Sequence, residues 1–199
     1  MSNEPTSFAF TDDTMAKARA VIAKYPDGRQ QSAVMPLLDL AQRQEGWVSR
    51  AAMEYIAEML SMAPIRVEEV ATFYTMYNRQ PVGKFHVQVC TNLPCWLRGS
   101  DDVAASAKAA LGVEFGDSTG DGLFTLSEVE CLGACVNAPM MQINDDYYED
   151  LTADSTKAVL EALKRGETPK AGPQVDRQFS CPVGGPTTLT ELKFEGGKA

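Results

Sequence analysis

The sequence predicts an α+β protein, with a helical bundle at the N-terminus followed by a smaller α/β unit and then an extended tail. Three observations lead to this prediction. Apolar residues recur at helical spacing through roughly the first eighty residues and alternate as in β-strands after them. From Gly166 onward, Pro and Gly interrupt the chain every few residues. We therefore expect a helical part at 1–82, an α/β unit at 83–166 and a tail at 167–199.

The N-terminal part begins with a polar arm, whose Phe8 and Phe10 we expect to pack against other residues, and continues with four amphipathic helices. None of the helices is long enough to be stable without burying its apolar stripe, which favours an antiparallel bundle. We expect the first helix to begin at a cap of Asp12 or Asp13 and to end before Pro26, and the second to run from its cap Ser32 to Glu45. The third is expected to begin at its cap Ser49 and to end before Pro64, and the fourth to run from there through Tyr74.

The α/β unit begins with a strand in which Phe85, Val87 and Val89 alternate with polar residues up to Cys90. The elements expected after it are a helix at 100–111, a strand at 123–130, a hairpin of 140–143 with 147–149, and a closing helix at 152–164. The order strand, helix, strand, strand, strand, helix is that of a small thioredoxin-like α/β unit.

The charge and the apolar pattern exclude two classes of partner. The formal net charge of -9 opposes binding to a phosphate backbone, so we expect no nucleic-acid partner. No apolar run approaches the length that spans a bilayer, and the first residues lack the features of a signal peptide. We therefore expect a soluble, intracellular protein without direct membrane insertion.

Four of the five cysteines form two close pairs. Cys90 and Cys95 have four residues between them, Cys131 and Cys135 have three, and each pair follows a predicted strand. Two short loops can each aim two sulfurs at one point, which suits a tetrathiolate site. The sequence thus predicts an iron-sulfur site. We expect a [2Fe-2S] cluster, with Cys90 and Cys95 on one iron and Cys131 and Cys135 on the other.

A structural zinc site also uses four cysteines and is the alternative interpretation. Zinc sites usually have two-residue spacers in at least one pair, which this chain lacks. The protein would then be a zinc-stabilised protein-interaction module without a redox role. A dithiol enzyme of the thioredoxin type is disfavoured because neither pair has the Cys-x-x-Cys spacing.

Two further residues and one peptide bond are interpreted separately from the four cysteines. His86, the single histidine, lies on the strand that ends at Cys90, and we interpret it as structural. Cys181, in the tail, is interpreted as a free thiol that is packed or covered by a partner. The Ala138-Pro139 bond precedes a predicted strand near the cysteines, where thioredoxin-like folds often place a cis proline, and we expect it to be cis.

Two longer stretches add to the cysteine pattern. Residues 70–78 read VATFYTMYN, and residues 128–139 read EVECLGACVNAP. With the first cysteine loop, they make the chain resemble the family of 24 kDa, or E, subunits of respiratory complex I (NADH-quinone oxidoreductase). These are thioredoxin-like [2Fe-2S] proteins that also occur in related hydrogenases and formate dehydrogenases.

The resemblance implies that Cys90, Cys95, Cys131 and Cys135 hold a [2Fe-2S] cluster near the FMN of the 51 kDa, or F, flavoprotein subunit. That partner would bind NADH and perform the hydride transfer, while this chain exchanges single electrons. The chain itself has no Gly-x-Gly-x-x-Gly or Walker motif for NADH or ATP. The resemblance further implies contacts with other peripheral-arm subunits of complex I, a partner-binding tail, and a cytoplasmic position on the inner face of the bacterial plasma membrane.

Overall fold

The computed structural model describes residues 4–185 and 187–188. The chain divides into two compact units, Met1–Val82 and Gly83–Ala199. The far end of the predicted tail, residues 189–199, lies outside the described residues, as do residue 186 and the first three residues of the arm. No helix within 4–185 and 187–188 combines the length and the apolar character needed to cross a bilayer.

The first unit contains the four predicted helices, with two of the predicted caps corrected. The helices are α1 (Asp12–Ile22), α2 (Val34–Glu45), α3 (Arg50–Met59) and α4 (Pro64–Phe73). Thr11, and not Asp12 or Asp13, caps α1, because its hydroxyl accepts the N–H of Thr14 at 3.3 Å. The two aspartates lie in the first turn, where the helix dipole favours negative charge.

Ser32 does not cap α2, as the sequence had led us to expect. It lies inside a short 3-10 turn, Gln30–Ala33, that leads directly into the helix and leaves no extended residue in front of it. The other predicted ends of α2 and α3 are confirmed. Gly46, with φ +83°, ends α2, and the hydroxyl of Ser49 accepts the N–H of Ala52 at the start of α3.

The core of this unit is formed by the apolar stripes of the helices, with Leu37, Leu38 and Ile56 fully buried. Phe8 and Phe10 of the arm pack edge-to-face on Tyr55, each with ring centroids 5.5 Å away, as predicted for the arm. The arm is thereby part of the core cluster.

The second unit is built on one five-stranded sheet in the order β2-β1-β3-β4-β5. Its strands are β1 (Phe85–Cys90), β2 (Phe124–Val129), β3 (Met141–Ile143), β4 (Asp146–Glu149) and β5 (Gly172–Pro173). Strand β1 pairs in parallel with β2 and antiparallel with β3, which forms the predicted hairpin with β4. Strand β5, in the tail, was not predicted, because two residues carry no periodic pattern; it pairs in parallel with β4.

Three α-helices complete the described part of the second unit: α5 (Leu93–Leu97), α6 (Ser100–Leu111) and α7 (Ala153–Lys164). Apolar residues of α6 and α7, among them Val103 and Leu160, share one buried cluster with Val87 and Leu126 of the sheet. Gly112 ends α6 and Thr152 caps α7, in agreement with the expected bounds of these helices. This core fixes β1 and β2, whose ends carry the cysteine loops.

Candidate metal centre

The parallel pairing of β1 and β2 brings the two cysteine loops to one edge of the sheet. Cys90 is the last residue of β1 and lies opposite Val129, the last residue of β2, with Cys131 two residues farther on. Parallel strands end at the same edge, so the predicted juxtaposition follows directly from the topology.

The first pair is buried. Cys90 and Cys95 are each 2% exposed, and Cys95 lies in the short helix α5 that follows the loop. Two side-chain hydrogen bonds tie the loop to the end of β2: the hydroxyl of Thr91 donates to Glu128 at 2.7 Å, and the amide of Asn92 donates to Glu130 at 2.6 Å. Burial, with the neighbouring Cys90 thiol, raises the pKa of Cys95 to about 12.

The second pair is exposed and lies on a tight turn. The sulfurs of Cys131 and Cys135 are 3.4 Å apart, and the hydrogen bond with Cys131 raises the pKa of Cys135. Gly133 has φ +85°, and its N–H donates to the Cys131 sulfur at 3.4 Å.

Residues of the two loops pack against each other. Cys90 and Cys95 form a small buried cluster with Ala138 and Met140, which follow the second loop, and Leu132 packs against the same cluster. The N–H of Cys90 donates to the carbonyl of Met140 at 3.3 Å. The Ala138–Pro139 bond between the second loop and β3 is cis, as predicted.

The donor set fits a binuclear iron-sulfur cluster. Cys90, Cys95, Cys131 and Cys135 are all free thiols, and they come together two by two, as two irons with two thiolates each require. Within the described ranges, no group of three or more His, Cys, Asp or Glu side chains is placed to hold a single metal ion.

The other two candidate residues have partners of their own. His86 Nε2 lies 2.8 Å from the hydroxyl of Ser127 on β2, and burial lowers the pKa of His86. Cys181 is half-buried in the tail, and its backbone carbonyl accepts a hydrogen bond from Arg177 at 3.1 Å.

A polar network beside the second loop was missed from the sequence. Arg177 pairs with Asp150 and donates to the carbonyl of Val136, the residue after Cys135. Asp150 and Val136 lie 27 and 41 residues before Arg177 in the chain, and neither belongs to a periodic pattern. No pattern in the sequence pointed to Arg177.

Comparison with known proteins agrees with this geometry. The family model for the thioredoxin-like [2Fe-2S] ferredoxin matches residues 18–164. A relative from Dictyostelium discoideum, "NADH dehydrogenase [ubiquinone] flavoprotein 2, mitochondrial", is 51% identical over 191 residues, which are 96% of this chain and 77% of the relative. The E subunit of the NADH-quinone oxidoreductase from Rickettsia conorii is 54% identical over 165 residues, 82% of this chain and 99% of the relative.

A solved structure shares the fold. The crystal structure of an NAD+-reducing [NiFe]-hydrogenase in the H2-reduced state matches 65% of this chain and 22% of the hydrogenase chain, with a TM-score of 0.57 at 19% identity. At that identity the likeness concerns the fold alone. The match of the family model and the relatives at about half identity establish the relationship: the chain belongs to the thioredoxin-like [2Fe-2S] ferredoxin family, as a homologue of the E subunits of NADH-quinone oxidoreductases.

Proposed function

We propose that this chain is the [2Fe-2S] electron-transfer subunit of an NADH-quinone oxidoreductase. Its cluster is held by Cys90 and Cys95 on one iron and by Cys131 and Cys135 on the other. The observation that carries the proposal is the convergence of the two cysteine loops at one edge of the sheet, two sulfurs from each loop. When bound, the cluster supplies a centre that takes up and releases one electron at a time.

The residues around the sulfurs have distinct tasks in this proposal. The buried pair, Cys90 and Cys95, keeps water away from one side of the site. The exposed pair leaves the other side open to a partner protein. The N–H of Gly133 stabilises negative charge on the Cys131 sulfur, because hydrogen bonds to thiolates favour the charged form.

We propose that the electron partner is the 51 kDa flavoprotein subunit, which binds FMN and NADH, and that it docks over the cysteine loops. Large apolar side chains are exposed on the segments that carry Cys95 and Cys135. This apolar rim consists of Leu93 (60% exposed), Trp96 (54%), Leu97 (69%) and Val136 (69%). Exposed apolar and aromatic clusters mark protein interaction sites, and this one would bring the flavin close to the sulfurs.

A second exposed apolar surface supports contact with further subunits of the peripheral arm. It lies in the first unit, around the end of α4, where Phe73 and Tyr74 stack edge-to-face with ring centroids 5.0 Å apart and Met76 is also exposed. These residues belong to the stretch VATFYTMYN that the sequence singled out. In such a complex the chain would sit peripherally on the inner face of the bacterial plasma membrane.

The test is electron delivery through the flavoprotein. The purified chain is mixed anaerobically with NADH, with and without the flavoprotein subunit of the same organism, and followed by low-temperature EPR. We expect a reduced [2Fe-2S] signal with NADH only when the flavoprotein is present. A chain that is colourless and holds one zinc ion would be the alternative zinc-stabilised module, and a coloured chain that NADH cannot reduce through the flavoprotein would refute the assigned partner.

A further inference from the structure

The described part of the tail is fixed to the second cysteine loop by Arg177. Its guanidinium makes a bidentate pair with Asp150, with Nε and Nη2 each 2.8 Å from a carboxylate oxygen. The Arg177 and Asp150 side chains are 5% and 7% exposed. Two further N–H groups donate to backbone carbonyls, Nη2 to that of Val136 and Nη1 to that of Cys181, each at 3.1 Å. One buried cation thus joins the β4–α7 connection, the cysteine loop and the tail.

Asn137 makes a second connection between the same three segments. Its side-chain amide donates to the carbonyl of Phe179 in the tail at 3.0 Å and to Glu149 at the end of β4 at 3.2 Å. Its backbone carbonyl accepts the N–H of Asp150 at 2.7 Å. Asn137 is 1% exposed, so these bonds are sheltered from water.

The network is better suited to fixing geometry than to adding stability. A buried ion pair recovers little net free energy, because both charges lose their hydration. An Arg that donates four hydrogen bonds, two to one carboxylate and one to each of two carbonyls, nevertheless holds those groups in one arrangement. Asp150 has φ +52°, an unusual conformation for a non-glycine residue, which the bonds to Arg177 and Asn137 hold in place. The chain therefore concentrates fixed hydrogen bonds next to the exposed cysteine pair.

We propose that Arg177 is a positioning residue for the cluster. By clamping the segment Val175–Cys181 onto Val136 and Asn137, it holds Cys131 and Cys135 in the arrangement that binds iron. The inference rests on the proposed function, which assigns Cys131 and Cys135 as ligands of the cluster. It gives the described part of the tail a role within its own chain, which the sequence did not suggest.

The test compares Arg177→Lys with Arg165→Lys in the full chain carrying its cluster. Lysine keeps the positive charge but lacks the fork. Arg165 is the matched control, because it makes the same bidentate pair with Glu167, both bonds 2.8 Å, while the two side chains are 58% and 57% exposed. Three readouts are taken: amide hydrogen exchange, iron release to a chelator, and the EPR g-values of the reduced cluster.

For Arg177→Lys we expect exchange in residues 131–137 to accelerate at least tenfold and iron release at least fivefold, with shifted g-values. Exchange in β1 stays unchanged, and Arg165→Lys matches the unsubstituted chain in all readouts. Asp150→Asn, which removes the carboxylate charge at constant volume, changes the same readouts in the same direction.

Two results would overturn the proposal. In the first, exchange in 131–137 and iron release in both Arg177→Lys and Asp150→Asn stay within twofold of the unsubstituted chain. In the second, exchange accelerates throughout the second unit, β1 included, which would make the pair a general stabiliser. A chain that binds no iron would refute the proposed function, and the exchange comparison would still decide whether Arg177 clamps the loop.

Discussion

The sulfurs of Cys131 and Cys135 lie 3.4 Å apart across a turn that contains one position with positive φ, which glycine adopts without strain. Gly133 occupies this position with φ +85° and directs its N–H at the Cys131 sulfur. A Cβ built on Gly133 would have no heavy atom within 4 Å, so the constraint is conformational and not steric.

Substitution Gly133→Ala is expected to strain the turn by about 1–2 kcal/mol and to weaken the N–H···S bond. Because hydrogen bonds to the sulfurs stabilise the reduced, more negative cluster, the reduction potential falls. The measurement is an EPR-monitored redox titration.

The matched control is Gly112→Ala. Gly112 has φ +71° and equally open space, but it ends helix α6. We expect it to cost similar stability and to leave the potential unchanged. An unaltered potential in Gly133→Ala would contradict the role assigned to the Gly133 N–H.

Substitution Leu97→Asp is expected to weaken binding of the flavoprotein at least tenfold and to leave the iron content unchanged. Leu97 is 69% exposed, so the carboxylate disturbs no core packing, but docking would bury an unpaired charge. The dissociation constant is measured by calorimetry with the purified partner. Ala158→Asp places the same charge at an exposed position of α7, which carries no cysteine, and should leave the affinity intact. Equal affinities for the two variants would remove the apolar rim from the interface.

His86 is expected to titrate below its ordinary pKa of 6.5, because burial disfavours the imidazolium. The unfolded chain then binds more protons than the folded one, so stability is fully present above pH 6.5 and is lost as the pH falls through 6.5 toward the folded pKa. The slope contributed by this one group is at most about 1.4 kcal/mol per pH unit.

The chain has a single histidine, so one imidazole resonance in an NMR titration reports this group directly. A midpoint at or above 6.5 would contradict the burial argument. In His86→Gln, the contribution of this group to the pH dependence of unfolding near neutrality should disappear.

Much of the second unit was readable from sequence because its signals are local. The alternation of Phe85, Val87 and Val89 predicted β1, and the glycine at 112 predicted the end of α6. The cysteine spacing predicted the paired thiols, and the parallel ends of β1 and β2 place the loops together. The strand, the helix end and the cysteine spacing each depend on neighbours a few positions away, whereas the pairing of β1 with β2 joins residues far apart in the chain.

What the sequence did not reveal depends on distant or non-periodic contacts. The Arg177–Asp150 pair joins residues 27 positions apart, and β5 is a two-residue pairing whose pattern is too short to detect. Ser32 has a side chain that can cap a helix, but it lies inside the 3-10 turn before α2. The residue that precedes α2 is Ala33, whose backbone is helical and not extended as in a capping residue. None of the three features leaves a periodic pattern in the sequence.

Low-temperature EPR of the dithionite-reduced protein, with iron and sulfide assays, tests most directly whether four particular thiols hold a [2Fe-2S] cluster. The spectra and assays are recorded for the unsubstituted chain, for Cys181→Ser as control, and for single Ser variants of the four ligands, Cys90, Cys95, Cys131 and Cys135. We expect two irons and two sulfides per chain and a paramagnetic signal, lost or shifted in each of the four variants and preserved in Cys181→Ser. An unchanged spectrum in all four Ser variants, or a colourless zinc protein, would contradict the assignment of the cluster to these thiols.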